Sequence, residues 1–548
     1  MRSFLAAFVL ICLSPGFSHA QLRQSFTIET FSVNSTLADP AGNRHVAISF
    51  RVVNHSTLPI FISKQAVVTV NQAPTRFPFP NLPTGGAAFI SDVFATKATT
   101  LDISISVENY SVVNAPEAKL QTPAASPFTY TAHLDQPETN RWQSIGPSKF
   151  VEADNSVLGL GRVTTIAIDP RSPDTLYVGA RGSGIWKTTD AGVNWFPISD
   201  SFPSVHIDAI AIDPANPNRV LAAAPANFFE SFDAGNTWTL LSTQVAQPWG
   251  SDGAALLVGP APASALYLSS LDGLYVSTNG GHQWSLVLGG SSPIGSLQFN
   301  TNDHSTLYAS IAASNPVSPA IPVGVYIGLN GALTSDSWHQ LHGCPSGPLP
   351  AIPSSSRVWI AQSGQTLWMS FLAGLADNSV RQLWRTTGTT CQAAGFTENS
   401  WVQIPISSGC DQETKDNSSF LFMHPDSANI VFKAGRVLCR TNGGGSPELI
   451  PGLHDDQHSI AVAPSNHSVL YLGNDGGIVR SDDLGAHWHS VEEGLAVSEE
   501  LAQDTGSGTP FLITGMQDNG SGTWDAVSSV WNSVSGGVSG GGQESGRV

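Results

Sequence analysis

Short runs of apolar and β-branched residues recur along most of the chain, each broken by Gly, Pro, Asn or Asp. From about residue 156 to about residue 534 the runs fall into eight groups of four. One group reads VTTIAIDP, TLYVGA, GIWKTT, NWFPI, and a later one HSIAVAP, VLYLGN, GIVRSD, HWHSV. Four short strands per unit, repeated at a near-constant period, are the pattern of propeller blades. Residues 21–137 differ. Runs such as HVAISFRVV and TLDISISVENY alternate with period two, as half-buried strands of a small β-sandwich do. The expected fold is all-β: a β-propeller of about 7–8 four-stranded blades over residues 138–548, preceded by the sandwich and a Pro-rich linker. The glycine-rich end, SGGVSGGGQESGRV, reads as the start of a further, incomplete blade.

Four units carry one motif, [S/T]-x-[D/N]-x-G-x-x-W. It begins at Thr188, Ser231, Ser277 and Ser481, and its defining pairs are Asp190 with Trp195, Asp233 with Trp238, Asn279 with Trp284, and Asp483 with Trp488. The first three copies start 43 and 46 residues apart. The residue types explain themselves structurally. The Asp or Asn can accept backbone N–H groups of its own turn, Gly can take a positive φ, and Trp can pack over the hairpin so closed. These eight residues are therefore expected to be structural. Arg141–Ile145, RWQSI, resembles a last blade strand but precedes the first blade; either Trp142 displaces the Trp531 strand or the last blade is left short.

Composition narrows the function. Charged residues are 12% of 548, and the net charge is −18. Such a chain is a poor partner for nucleic acid or an anionic membrane surface. Arg2, the apolar stretch Phe4–Leu13 and the Ser18–Ala20 cleavage pattern read as a secretory signal peptide over residues 1–20, with no membrane span elsewhere. A secreted location follows. Beyond Cys12, four cysteines remain: Cys344, Cys391, Cys410 and Cys439. They allow three pairings, of which Cys391–Cys410 is preferred for its nearness in sequence. None has the C-x-x-C spacing of a metal site, and no metal or cofactor is expected.

Candidate chemistry lies in the loops that precede each innermost strand and those between second and third strands, which share one face of a propeller. Eight residues before the Pro that ends each first strand stand Arg162, His206, Asp252 and Asp456. The seventh unit adds His454, His458 and Asp475, the eighth Gln517 and Asp518, and the first Arg181. With blade 1 expected beside blade 8, these would line a polar pocket. Three readings stand together. Asp456 and Asp475 could be the paired carboxylates of a glycosidase. His454, Asp456 and His458 could bind a divalent metal. All could simply pin loops through hydrogen bonds.

The motif matches the Asp-box of the BNR-repeat superfamily, and the segments HDDQH, LGNDGGIVRS and GMQDNG resemble exported bacterial BNR proteins of glycosyl-hydrolase-like type. The resemblance covers about residues 141–548 and implies the propeller fold more strongly than any activity. Sialidase relatives need an arginine cluster and a Tyr nucleophile, and no F-R-I-P-like segment is present. Xyloglucan-active relatives place a catalytic Asp in an R-T-D-V-G-G-like segment; the matching stretch here is Ala180-Arg181-Gly182-Ser183-Gly184, with no carboxylate. Sortilin-like receptors add a Cys-rich module and an anchor, which this sequence lacks. The function expected is binding of a glycan or a protein partner without catalysis; the alternative is a glycoside hydrolase using Asp456 and Asp475.

Overall fold

The computed structural model describes residues 26–35, 44–54, 61–62, 64–79, 87–108, 111–112, 128–133, 150–151, 160–200, 202–242, 254–260, 265–313, 321–373, 380–393, 396–411, 419–492, 494–498, 500–505, 511–516, 521–525 and 530–533. Residues 1–20, read above as a signal peptide, Trp142, Asp252, Gln517, Asp518 and the glycine-rich end lie outside these residues. The regular elements among the described residues are all strands, apart from two short 3-10 turns at Asn330–Ala332 and Ser335–Ser337. No described helix is long and apolar enough to cross a membrane.

Among the described residues, eight four-stranded antiparallel units follow one another, each a simple meander. Unit 1 consists of Val163–Ile168, Leu176–Ala180, Gly184–Thr188 and Phe196–Pro197. The later units span residues 209–242, 256–289, 294–340, 357–404, 420–449, 457–490 and 500–533. In units 1, 2, 3 and 7 the second strand is the most deeply buried, because it lies inside its sheet with a neighbouring unit on both faces. Leu176–Ala180, Val220–Ala224, Leu266–Ser270 and Leu470–Asn474 are buried throughout. That is why they read as continuous apolar runs rather than alternating ones.

Seven of the eight units close a ring. Each packs on the next through its first two strands, and the first strand of unit 7, Gln457–Val462, packs directly against Val163–Ile168 of unit 1. The contact is close: a Cβ on Gly473 of unit 7 would lie 2.7 Å from the Val163 carbonyl oxygen. Blade 1 therefore adjoins blade 7, not blade 8 as the repeat order suggested. The eighth unit lies outside the closure. Its Met516 and Trp531 join the apolar cluster that contains Leu160, Leu495 and Val497. Its last strand, Val530–Ser533, keeps its place beside Ser521–Asp525 and takes Phe150–Val151 as a parallel outer neighbour. An upstream strand is thus added outside the Trp531 strand and does not displace it.

The N-terminal residues form two facing sheets. One contains Phe26–Ser35, Arg44–Asn54 and Ala87–Thr96; the other contains Ala73–Phe79, Lys64–Val70, Thr100–Glu108 and Phe128–His133. Val46, Ile48, Phe50 and Val52 from one sheet and Val68, Leu101, Ile103 and Ile105 from the other fill the space between them, with the period-two spacing seen in the sequence. Ala87–Thr96 then pairs with Thr237–Ser242, the outer strand of blade 2, in the register Phe89 opposite Trp238. The sandwich and blade 2 consequently share one seven-stranded sheet. Phe89 enters the core of blade 2 edge-on to Phe202 and Phe229.

The disulfides are Cys344–Cys391 and Cys410–Cys439, with Cα separations of 5.7 and 5.9 Å. The preferred Cys391–Cys410 pairing is wrong for a geometric reason. Val380–Ala393 is a strand of 14 residues, and Cys391 lies near its far end, opposite Glu398, beyond the body of blade 5. Cys410 follows the return strand Phe396–Ile404, at the other end of the hairpin. Sequence proximity was undone by the length of that hairpin.

Candidate functional site

The four boxes have the local geometry their residue types predict. In blade 1 the Thr188 hydroxyl donates to Asp190 (2.7 Å), Gly192 N–H donates to Thr188 Oγ1 (3.0 Å), and Asn194 N–H donates to Asp190 Oδ1 (2.9 Å). Ser231 with Asp233, Ser277 with Asn279, and Ser481 with Asp483 repeat the arrangement. Trp195 and Trp238 are buried, while Trp284 and Trp488 are partly buried and donate to Gly281 O and Gly485 O. Both carboxylate oxygens of Asp190, Asp233 and Asp483 are engaged within their own turns.

Arg162, His454, Asp456, His458 and Asp475 meet at the seam where the ring closes. Arg162 immediately precedes the first strand of blade 1, and Asp475 immediately follows the second strand of blade 7. Because blade 7 abuts blade 1, the Arg162 guanidinium grips Asp475 with both arms, Nε to Oδ1 at 2.6 Å and Nη2 to Oδ2 at 3.0 Å. His458 Nε2 donates to the same Oδ1 at 2.5 Å. The three groups are removed from water: side-chain exposures are 10% for Arg162, 3% for Asp475 and 1% for His458. Burial alone pushes the Asp475 carboxyl up. The hydrogen bond and charge of His458, with those of Arg162, outweigh it and hold Asp475 well below the usual carboxylate range.

The surrounding loop is fastened by backbone. Asp456 adopts a positive φ of 61°, its N–H donates to Arg436 O (2.9 Å), and its carbonyl accepts Asp475 N–H (3.2 Å). Asp455 holds the Arg436 side chain at 2.9 Å. His454 packs over Gly476, where a Cβ would lie 2.8 Å from the His454 Cβ. Leu160 N–H, from the segment entering blade 1, donates to Gly476 O (2.7 Å). His454, Asp456, His458, Asp475 and Arg162 thus occupy one seam. Among the described residues, no three His, Cys, Asp or Glu side chains gather in a way that could hold a metal ion. Both oxygens of Asp475 are already engaged, by the Arg162 guanidinium and the His458 imidazole.

Arg181 and His206 lie at the next joint. Ile207 N–H donates to Ala180 O (3.3 Å) and Gly184 N–H to Val205 O (2.7 Å), so the His206 loop is clamped against the turn carrying Arg181. His206 Nε2 lies 3.1 Å from the buried Asp208. Sequence reasoning missed Asp208 and Arg436, which carry no motif; Asp455 belongs to the HDDQH segment, but its partner Arg436 was not legible.

No family model matches the chain. A xyloglucanase of Paenibacillus sp is 27% identical over 286 residues, 45% of this chain and 27% of that protein. A xyloglucanase of Acetivibrio thermocellus is 28% identical over 237 residues, 36% of this chain and 28% of that protein. The chain therefore matches about a quarter of the length of these relatives. The crystal structure of an ancestral GH74 enzyme superposes with a TM-score of 0.50 at 17% identity, covering 69% of this chain and 55% of that one. At that identity the likeness speaks for fold. Repeat sequence, four-stranded sheets and this likeness agree on the fold: the chain is a β-propeller, similar in sequence to these xyloglucanases over part of its length.

Proposed function

We propose that the chain is an exported propeller that binds a glycan through its loop face and does not hydrolyse it. The observation that carries the non-catalytic half is the state of Asp475. A glycosidase acid must hold a proton near neutral pH, and a glycosidase nucleophile must reach the anomeric carbon. Asp475 is held ionised, buried, and bound on both oxygens by Arg162 and His458. It is suited to neither task. The glycan half rests on the xyloglucanases matched in sequence and on the absence of a carboxylate in the Ala180–Gly184 stretch, which leaves a polar, non-catalytic turn beside His206. The two disulfides fit the oxidising exterior that the signal-peptide pattern implies.

The test is electrophoresis of the full chain in gels containing soluble xyloglucan, alongside a reducing-end assay on the same polymer. Retardation without release of reducing ends is expected. Reducing ends that vanish in Asp456→Asn or Asp475→Asn, with the fold intact, would instead establish the hydrolase alternative. No retardation by xyloglucan or by any other neutral glycan would leave a protein ligand as the reading.

A further inference from the structure

Blade 5 carries a cavity that none of the motif residues line. Its volume is about 300 Å³, at the lower end of small-ligand sites. It lies where Val380–Ala393 begins and Phe396–Ile404 ends. In a four-stranded blade the start of the third strand and the end of the fourth lie at the same end as the loops bearing Arg181 and His206, so the cavity opens on the loop face. Arg381, Gln382, Gln403 and Asp411 supply its polar wall, and Ile404 and Ile406 its apolar one.

We infer that this cavity is a subsite for one sugar unit of a neutral glycan chain, and the inference rests on the glycan-binding reading above. The chemistry of the wall selects the ligand. One guanidinium and one carboxylate cancel, so the cavity favours neither an anion nor a cation. The Gln403 amide, the Gln382 NH₂ and the Asp411 carboxylate present donors and acceptors that can match the vicinal hydroxyls of a pyranose. The isoleucine edges can cover the C–H face of the same ring. One of these groups is already oriented. Trp384 Nε1–H, which can only donate, reaches Gln382 Oε1 at 2.9 Å, and so fixes that amide with its NH₂ as the group offered to a ligand.

The outer wall is anchored as well. Cys410 is bonded to Cys439 on blade 6, and its N–H closes a turn on Ser407 O at 3.0 Å. Asp411, next in sequence, is thereby tied to two blades at once. Pre-positioned polar groups reduce the ordering cost of binding, which matters for a ligand as weakly held as a single sugar.

The inference is tested with Gln403→Ala and Asp411→Asn, both at exposed positions where folding is little affected, and with Gln382→Ala. Affinity for soluble xyloglucan and for its oligosaccharides is measured by gel retardation and calorimetry, with polygalacturonate as the anionic control. Each variant is expected to lose about tenfold in affinity for the neutral glycans, the worth of one or two hydrogen bonds, with an unchanged melting midpoint in Gln403→Ala and Asp411→Asn. Polygalacturonate is expected to bind no better to parent than to variants. Parent-level affinity in all three variants overturns the subsite while leaving glycan binding standing. Preferential binding of polygalacturonate, lost in Arg381→Gln, overturns the neutral-ligand assignment. Failure of the parent itself to bind any neutral glycan removes the glycan reading and the subsite with it.

Discussion

At the scale of the residue, the boxes do more than close their own hairpins. The glycine of each described box packs on the preceding blade of the ring. A Cβ on Gly235 would meet Ile198 and Tyr177 of blade 1 at 2.9 and 3.2 Å; on Gly281 it would overlap Phe228 of blade 2; on Gly485, Phe432 of blade 6; and on Gly192, Val491 of blade 7. Trp195 adds a hydrogen bond from Nε1 to Val491 O at 2.8 Å. Gly235 also has a φ of 86°, so two independent penalties attend any side chain there. Gly235→Ala is expected to cost about 1–3 kcal/mol, and Trp238→Ala about 3 kcal/mol or more, as large-to-small core changes do. Chemical denaturation of each variant measures both; a Gly235→Ala chain as stable as the parent would remove the inter-blade role. The hydrogen bonds within the box were legible in the sequence because their partners lie two to four residues apart. The glycine's second role was not, because the atom it must avoid belongs to another blade.

At the scale of the element, the blades could be read strand by strand, whereas the joints between elements could not. Alternation in HVAISFRVV identified Arg44–Asn54 as a sandwich strand, yet nothing in that pattern says that Ala87–Thr96 also completes the edge of blade 2. An outer blade strand with unpaired N–H and C=O groups is a liability, and pairing covers it. The consequence is mechanical. A protease site inserted between residues 134 and 149 should be cut without separating the two parts, since they share a sheet and the Phe89, Phe202 and Phe229 cluster. Size-exclusion chromatography of the cut protein is expected to show one species, and Phe89→Ala is expected to let the N-terminal part dissociate. Release from the parent chain after cutting would show that the shared sheet does not hold. The disulfides teach the same lesson. Cys410–Cys439 joins residues 29 apart in sequence, and Cys439→Ser is expected to lower stability by about 3 kcal/mol through the freed loop in the unfolded chain, read as a lower melting midpoint.

At the scale of the whole molecule, eight repeats were countable, but the sequence did not say which two close the ring. That depends on contacts such as Arg162 with Asp475, 313 residues apart. The candidate site was legible in part for the same reason: Arg162, His458 and Asp475 were singled out by their repeat positions, while their direct union required blade 7 to stand beside blade 1. Their charge makes the closure sensitive to acid. The folded protein holds Asp475 below its ordinary carboxylate range, whereas the unfolded chain protonates it near pH 4. Unfolding therefore takes up a proton in that window. The stabilisation is fully present above about pH 5, and it declines as pH falls through 4 toward the folded value. Asp475→Ala leaves Arg162 and His458 buried without their anion and is expected to cost about 3–5 kcal/mol at neutral pH. Asp475→Asn should cost less. The deciding measurement is urea unfolding of parent and Asp475→Asn at a series of pH values from 7 to 3. The stability gap between them is expected to be constant down to about pH 5 and to narrow below it, because only the parent loses a charge there. A gap that stays constant to pH 3 would mean that the ionised lock does not hold the ring closed, and that packing of Val163 against Gly473 closes it alone.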